Sequence, residues 1–163
     1  MIFKNTLKLT SLLLAMYLLV GCDGLFEEHA SQFHLDDINQ VEWARPNPAS
    51  SSLSYTAELE AGQTEPELVE LTVQLIGAQT GSDRTAGVAV SETDATEGVH
   101  FELVNSEIVI QANSNFGTVQ VRVLADNIAD GEEYFVILEL QEGPELDVAV
   151  NFKDMNLEIE KDS

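Results

Sequence analysis

Residues 93–140 read TDATEGVHFELVNSEIVIQANSNFGTVQVRVLADNIADGEEYFVILEL, and apolar residues alternate with polar ones through much of this stretch. The alternation is clearest in three runs: Ile108 and Ile110; Val119, Val121 and Val123; and Tyr134, Val136, Leu138 and Leu140. A period of two places one face of a β-strand in a core and leaves the other in water. Glycine, asparagine and aspartate interrupt the runs about every ten residues, a spacing typical of a β-sandwich.

The flanking sequence continues the same pattern. Further strands are predicted at Gln40–Ala44, at a short edge segment with Leu53 and Tyr55, at Glu67–Ile76, at Ala86–Val90, at a short segment with Val148 and Val150, and at Asp154–Glu160. Residues 45–48 end the first strand because their two prolines lack backbone donors. We therefore predict an all-β fold, a two-sheet antiparallel β-sandwich of seven to eight strands with Greek-key connections.

The N-terminus has the features of an export signal. Lys4 and Lys8 precede an apolar segment, Leu9–Val20, which is followed by Gly21 and by Cys22, the only cysteine of the chain. A dozen apolar residues are too few to span a bilayer, which needs about 20 residues. They match the length of a secretory signal.

The tetrapeptide LVGC at residues 19–22 resembles the lipobox of bacterial lipoproteins, which makes Cys22 the expected site of lipid attachment. The alternative is a buried cysteine at the end of an anchor helix. We predict a signal peptide at residues 1–21, a flexible acidic tether at 22–39 and the sandwich at 40–160. The protein is expected to be exported and held by lipid in the bacterial envelope, at the outer membrane or cell surface. Acidic residues after the cysteine resemble surface-export signals of Bacteroidota-type lipoproteins, although Asp23 is associated with inner-membrane retention in enterobacterial systems.

The chain is strongly acidic. Its 163 residues carry a formal charge of −22, and loss of the signal peptide leaves five basic and 29 acidic residues, a balance of −24. Such a surface repels nucleic acid, so nucleic acid is not an expected partner. Most of these carboxylates are interpreted as solvated strand faces and loops.

Two features lie near the start of the last alternating run, residues 134–140. Tyr134 follows Asp130–Glu133 and is either a tyrosine corner, bonded to upstream backbone, or an ordinary half-buried tyrosine. Phe135 and Ile137 lie on the opposite face of the strand. Either the strand is central and covered on that face too, or the pair forms an apolar patch that meets a partner.

Four segments of the chain are similar to the Calx-beta module, an immunoglobulin-like β-sandwich of cell-surface proteins and of sodium/calcium exchangers. They are ATEGVHF at 95–101, IVI at 108–110, GTVQVRV at 117–123 and DGEEYF at 130–135. The flanks resemble small surface lipoproteins of the Bacteroidota type, through LIGAQTG at 75–81, IQANSNF at 110–116 and NFKDMNLEI at 151–159. Together the resemblance covers residues 41–159.

The resemblance implies a candidate calcium site, because calcium-binding relatives carry acidic loops at one end of the sandwich. Here Asp126 and Asp130 are the expected ligands, whereas His100 and Ala125 stand where relatives carry acids. The segment from Asp126 is not an EF-hand, because isoleucines fall at ligand positions 3 and 12. We therefore predict no cofactor and keep calcium as the alternative.

No catalytic constellation is visible. The sequence contains no nucleophile elbow, HExxH, P-loop or dinucleotide fingerprint, and the adjacent Glu132 and Glu133 point to opposite faces of a strand. We predict a non-enzymatic module for structural support or for interaction with another surface protein or a glycan. The alternative is a calcium-responsive domain. A glycan platform is not evident among the few aromatic residues, and Trp43 is predicted to lie in the core.

Overall fold

The structure, a computed structural model, describes residues 38–163. The signal peptide, Cys22 and nearly all of the predicted tether lie outside the described residues. The strands are β1 Asn39–Trp43, β2 Ser54–Leu59, β3 Glu67–Gly77, β4 Arg84–Thr93, β5 Phe101–Leu103, β6 Glu107–Ile110, β7 Phe116–Val123, β8 Glu133–Gln141, β9 Asp147–Val148 and β10 Asp154–Lys161. Short 3₁₀ helices occupy Ala125–Asn127 and Val150–Phe152. No helix within residues 38–163 is long and apolar enough to cross a membrane.

The ten strands form two five-stranded sheets. Sheet A has the order β5-β7-β3-β1-β9, and sheet B has the order β2-β10-β8-β4-β6. Consecutive strands therefore always lie in opposite sheets, and every connection crosses the sandwich. Strands that pair within a sheet come from separate parts of the chain, so the fold is assembled by long-range contacts.

The core lies between the sheets, on the faces that the alternation predicts. In sheet A, Val69 of β3 pairs with Val121 of β7, and both are buried. In sheet B, Leu138 of β8 pairs with Met155 of β10, and both side chains are fully buried. Burial of a side chain of this size contributes about 1.5–3 kcal/mol. The predicted all-β, immunoglobulin-like sandwich is confirmed, and Trp43 is a core residue.

The details differ from the prediction at the sheet edges. Six of the eight strand pairs are antiparallel, whereas β9 runs parallel to β1 and β2 runs parallel to β10. The structure has ten strands where seven to eight were predicted, and β5 was not predicted because three residues are too few to show an alternating pattern. Val150 is not in a strand: it begins a 3₁₀ helix and is 79% exposed.

Gly117 allows the edge of sheet B to pack closely on sheet A. A Cβ atom at this position would lie 2.5 Å from Cγ2 of Ile108, on β6. Real Cβ atoms do not approach other atoms that closely, so any larger residue would push β6 away from β7. The glycine of the GTV segment is therefore required by packing.

Candidate functional site

Lys161 lies at the end of the sandwich that carries Asp126 and Asp130, the expected calcium ligands. Asp126 is exposed in the 3₁₀ helix Ala125–Asn127, and Asp130 lies in the turn before β8. Oδ1 of Asp130 accepts a hydrogen bond from the backbone N–H of Gly62 at 2.8 Å. The same atom lies 3.6 Å from Nζ of Lys161, at the end of β10. Asp130 thus connects two loops and a strand.

The ammonium group of Lys161 is surrounded by backbone carbonyls. Nζ donates hydrogen bonds to the carbonyl oxygens of Gln63 at 2.8 Å, Ala125 at 3.0 Å and Ile128 at 2.7 Å. The side chain is only 5% exposed, and its three donors are all used. Carbonyl and carboxylate oxygens are also the ligands that calcium prefers. Because Lys161 places a positive charge among these oxygens, the arrangement does not fit a calcium ion.

At the same end of the sandwich, Tyr134 decides between the two alternatives left open by the sequence. The hydroxyl of Tyr134 donates to a carboxylate oxygen of Glu132 at 3.2 Å, and its ring centroid lies 4.3 Å from that of His100. Burial, the hydrogen bond to Glu132 and the charges of Glu132 and Asp94 raise the pKa of Tyr134. Nδ1 of His100 accepts the backbone N–H of Thr96 at 3.1 Å. Tyr134 is therefore the half-buried alternative, and His100 has a structural role.

The remaining carboxylates do not assemble a metal centre. Within residues 38–163, no group of three or more His, Cys, Asp or Glu side chains is positioned to hold a metal ion. Glu132 of the adjacent acidic pair turns back to accept the backbone N–H of Ala129 at 2.9 Å. That contact closes the turn before β8, so Glu132 serves the fold.

Among the positively charged side chains of residues 38–163, Arg45 is the one that is neither ion-paired nor buried. Arg122, Lys153 and Lys161 each lie within 4.0 Å of a carboxylate, and Arg84 is buried with hydrogen bonds to amide and carbonyl oxygens. Arg45 forms no ion pair with any residue from 38 to 163. It is exposed just beyond β1, and its guanidinium carbon lies 5.4 Å from the ring centroid of Phe152. This cation–π contact orients the guanidinium, which forms no side-chain hydrogen bond to another residue between 38 and 163.

Two clefts meet at Arg45. The first encloses about 430 Å³, and its lining includes the aromatic ring of Phe152 and the polar groups of Glu42 and Gln74. Gln74 donates to Glu42, which fixes both side chains. The second encloses about 320 Å³, and Tyr55 and Thr72 are among its lining residues. Aromatic surface, donors and acceptors therefore converge around one exposed cation, as in sites for small polar ligands.

The fold is that of the Calx-beta module. The apo-form Calx CBD1 domain superimposes with a TM-score of 0.58 at 13% identity, over 78% of this chain and 100% of that chain. CBD12 from CALX1.2 gives a TM-score of 0.56 at 13% identity, over 76% of this chain and 44% of that chain. A Bacteroides ovatus protein for which carbohydrate binding has been proposed gives 0.58 at 11% identity, over 76% and 37% of the two chains. The chain thus spans less than half the length of the last two.

The family is also defined by sequence. Residues 36–159 match the family described as a domain of unknown function, DUF4843, and the chain belongs to it. No curated protein matches the chain in sequence. The expected resemblance to the Calx-beta module and to Bacteroidota proteins is confirmed at the level of the fold.

Three residues of these sites were not identified from the sequence. Lys161 carries a detectable signal, because it continues the inward parity of Met155, Leu157 and Ile159. A lysine on a core face requires internal partners. Arg45 and Phe152 carry no such signal, since they lie at opposite ends of the described chain and meet only through the pairing of β1 with β9 and the following 3₁₀ helix.

Proposed function

We propose that this protein is a non-enzymatic, lipid-anchored module of the cell envelope that binds a glycan in the clefts beside Arg45. The observation that carries the proposal is the exposed guanidinium stacked on Phe152 between two polar clefts, and this guanidinium has no ion-pair partner among residues 38–163. Phe152 lines the first cleft and Tyr55 the second, so each cleft offers a sugar one aromatic side chain. Carbohydrate binding proposed for a Bacteroides ovatus protein with the same sandwich supports this assignment.

The chemistry of the clefts fits a neutral sugar. Sugar hydroxyls both donate and accept hydrogen bonds, and the clefts offer Arg45 as donor and Glu42, Gln74 and Thr72 as acceptors or donors. The C–H faces of a pyranose ring suit the apolar surface of an aromatic side chain. Residues 38–163 carry 24 acidic and five basic residues, a charge of −19, which repels polyanionic glycans.

Attachment of lipid at Cys22 would place this surface in the envelope. The charged N-terminus, the apolar segment and the LVGC sequence support attachment, and two or three acyl chains make the anchoring stable where one is marginal. A lipid-held module with a glycan site would retain polysaccharide near the cell. Calcium regulation receives no support from the loop end, where Lys161 occupies the carbonyl cluster.

Affinity electrophoresis of the full chain in nonionic detergent tests the proposal. Gels would contain neutral polysaccharides (a β-glucan, a mannan, a xylan and an arabinan) or acidic ones (polygalacturonate and hyaluronan). We expect at least one neutral polymer to retard the protein, and Arg45→Ala or Phe152→Ala to weaken retardation about tenfold or more. Acidic polymers should not retard it.

Arg122→Ala is the matched control, because it removes the same charge from an exposed, ion-paired arginine on the outer face of sheet A. It should bind like the wild type. No retardation by any neutral polymer, or equal losses in Arg45→Ala and Arg122→Ala, would refute a glycan site at Arg45.

A further inference from the structure

Several carboxylates on the outer face of sheet A have partners within the domain, whereas three on the outer face of sheet B do not. On sheet A, carboxylates of β1, β3 and β5 have hydrogen-bonded or ionic partners: Glu42 with Gln74, Glu70 with Gln120, and Glu102 with Arg122. Each contact gives a carboxylate on the outer face of sheet A a partner on an adjacent strand. These three carboxylates of sheet A are therefore paired within the domain.

Sheet B carries an acidic row, defined as Glu58, Glu160 and Glu133. Glu160 of β10 lies directly opposite Glu58 of β2 on one side and Glu133 of β8 on the other. All three side chains are exposed, and within residues 38–163 none of them has a side-chain hydrogen bond or an ion pair. Like charges directly opposite one another destabilise a sheet. The acidic row thus costs stability that nothing in the described chain offsets.

An apolar pair adjoins the acidic row. Phe135 and Ile137 follow Glu133 on the outer face of β8, the central strand of sheet B. Both are half-buried and lie outside the core cluster. A cleft of about 420 Å³ exposes Phe135 between Glu133, Glu160, Glu158 and Asp94. β8 is therefore central, and its outer face still presents apolar surface beside unpaired negative charge.

We propose that this face of sheet B docks a basic segment of another protein, in which lysine or arginine residues and an apolar side chain occupy alternate positions and so share one face of an extended chain. Adjacent strands are about 4.8 Å apart, so the acidic row extends roughly 10 Å, too far for one ion. The same separation is spanned by alternate side chains of an extended segment, which recur about every 6.6 Å. An apolar side chain two residues beyond the last cation faces the sheet as well, so it would contact Phe135, which follows Glu133 on the outer face of β8.

The charge and geometry of this face of sheet B also disfavour other ligands. No three carboxylates of residues 38–163 are placed to hold a metal ion, which leaves cations carried by a partner chain. An anionic membrane or nucleic acid would be repelled by the same carboxylates. The acidic row and the apolar pair share no residue with the lining of the Arg45 clefts, so a protein and a glycan would occupy separate surfaces. The docking surface does not depend on the glycan proposal.

Fluorescence anisotropy with the full chain in nonionic detergent tests the docking surface. The probe is a labelled, capped peptide in which lysines and a phenylalanine stand at alternate positions with serines between them, so that both kinds of side chain share one face. Two comparison peptides carry serine in place of phenylalanine or glutamate in place of lysine. We expect the lysine–phenylalanine peptide to bind at least tenfold more tightly than either. The double variant Glu133→Gln/Glu160→Gln should weaken it about tenfold or more, and Phe135→Ser severalfold.

The matched control is Glu107→Gln/Glu145→Gln, which removes the same charge from β6 and from the turn beyond the far end of β8. It should bind within twofold of the wild type. The Glu133/Glu160 variant should also have a higher melting temperature, so lost binding would not reflect unfolding. Undetectable binding at millimolar peptide, equal losses in both double variants, or equal binding of the serine peptide would each overturn the proposal.

Discussion

Nζ of Lys161 lies 3.6 Å from Oδ1 of Asp130 while it donates to three backbone carbonyls, so a single buried ammonium joins the last strand to both loops at one end of the sandwich. The ion pair orients Asp130, which also accepts the N–H of Gly62. The Lys161 ammonium therefore joins these loops in the way that a metal ion bound by oxygen ligands can.

Loss of the Lys161 ammonium should be costly. Lys161→Met keeps the apolar stem but leaves three buried carbonyl groups without donors, and each unsatisfied group costs about 1–3 kcal/mol. We expect destabilisation of roughly 2–4 kcal/mol in urea unfolding. Lys153→Met, which breaks an exposed ion pair, should cost about 0–1 kcal/mol. Similar midpoints for the two variants would contradict a structural role for the buried ammonium.

Calcium should show no preference over magnesium. A specific site would add about 2.7 kcal/mol at an ion concentration 100 times its dissociation constant. Screening of the negative surface instead raises stability similarly for both ions. We expect equal increases in melting temperature with calcium and magnesium. A calcium-specific shift of several degrees at sub-millimolar ion, abolished by Asp126→Asn/Asp130→Asn, would establish the calcium-responsive alternative.

The register of the sheets predicts which side chains tolerate truncation. Val121 and Leu138 are fully buried, so replacement of either by alanine should destabilise by about 2–4 kcal/mol through lost burial and a residual cavity. Glu139→Ala, next to Leu138 on the outer face, should cost about 1 kcal/mol or less because its ion pair with Lys153 is exposed. Chemical denaturation gives all three values, and the reverse order would mean a register shifted by one residue.

Stability should fall at high pH. The hydrogen bond to Glu139 raises the pKa of Lys153 from its ordinary value of 10.5, and the pKa of Tyr134 is raised from 10.0. Groups whose pKa is raised by folding stabilise the protonated folded state below their ordinary values. That stability is lost as pH rises from about 10 through the folded values.

Urea midpoints between pH 8 and pH 11 measure this decline. Glu139→Gln should make the decline shallower, because Lys153 then loses the principal cause of its raised pKa. Glu107→Gln, far from both groups, should leave the slope unchanged. An identical slope for Glu139→Gln and the wild type would show that the Lys153 pair does not contribute.

Processing of the N-terminus should depend on Cys22. Cys22→Ser removes the thiol that accepts the lipid, so we expect an unlipidated precursor that retains residues 1–21. Metabolic labelling with a fatty-acid analogue should mark the wild type and not the variant. Equal labelling of the two proteins would exclude Cys22 as the attachment site.

The sequence by itself determined the strands, their inward faces and the sandwich class, because alternation is a local property of an extended chain. Val119, Val121 and Val123 face the core as their spacing predicts. The resemblance carried by the GTV and DGEEYF segments also identified the Calx-beta-like fold. Cys22 and the tether remain predictions from sequence, outside the described residues.

Only the tertiary structure decided how the polar residues are used, since their partners come from distant parts of the chain. The pattern places Lys161 on an inward face but does not identify the carbonyls of Ala125 and Ile128 as its partners. Arg45 meets Phe152 only because β9 pairs in parallel with β1 and the next 3₁₀ helix follows. Pairing in a sandwich depends on long-range packing free energy, which a local period does not encode.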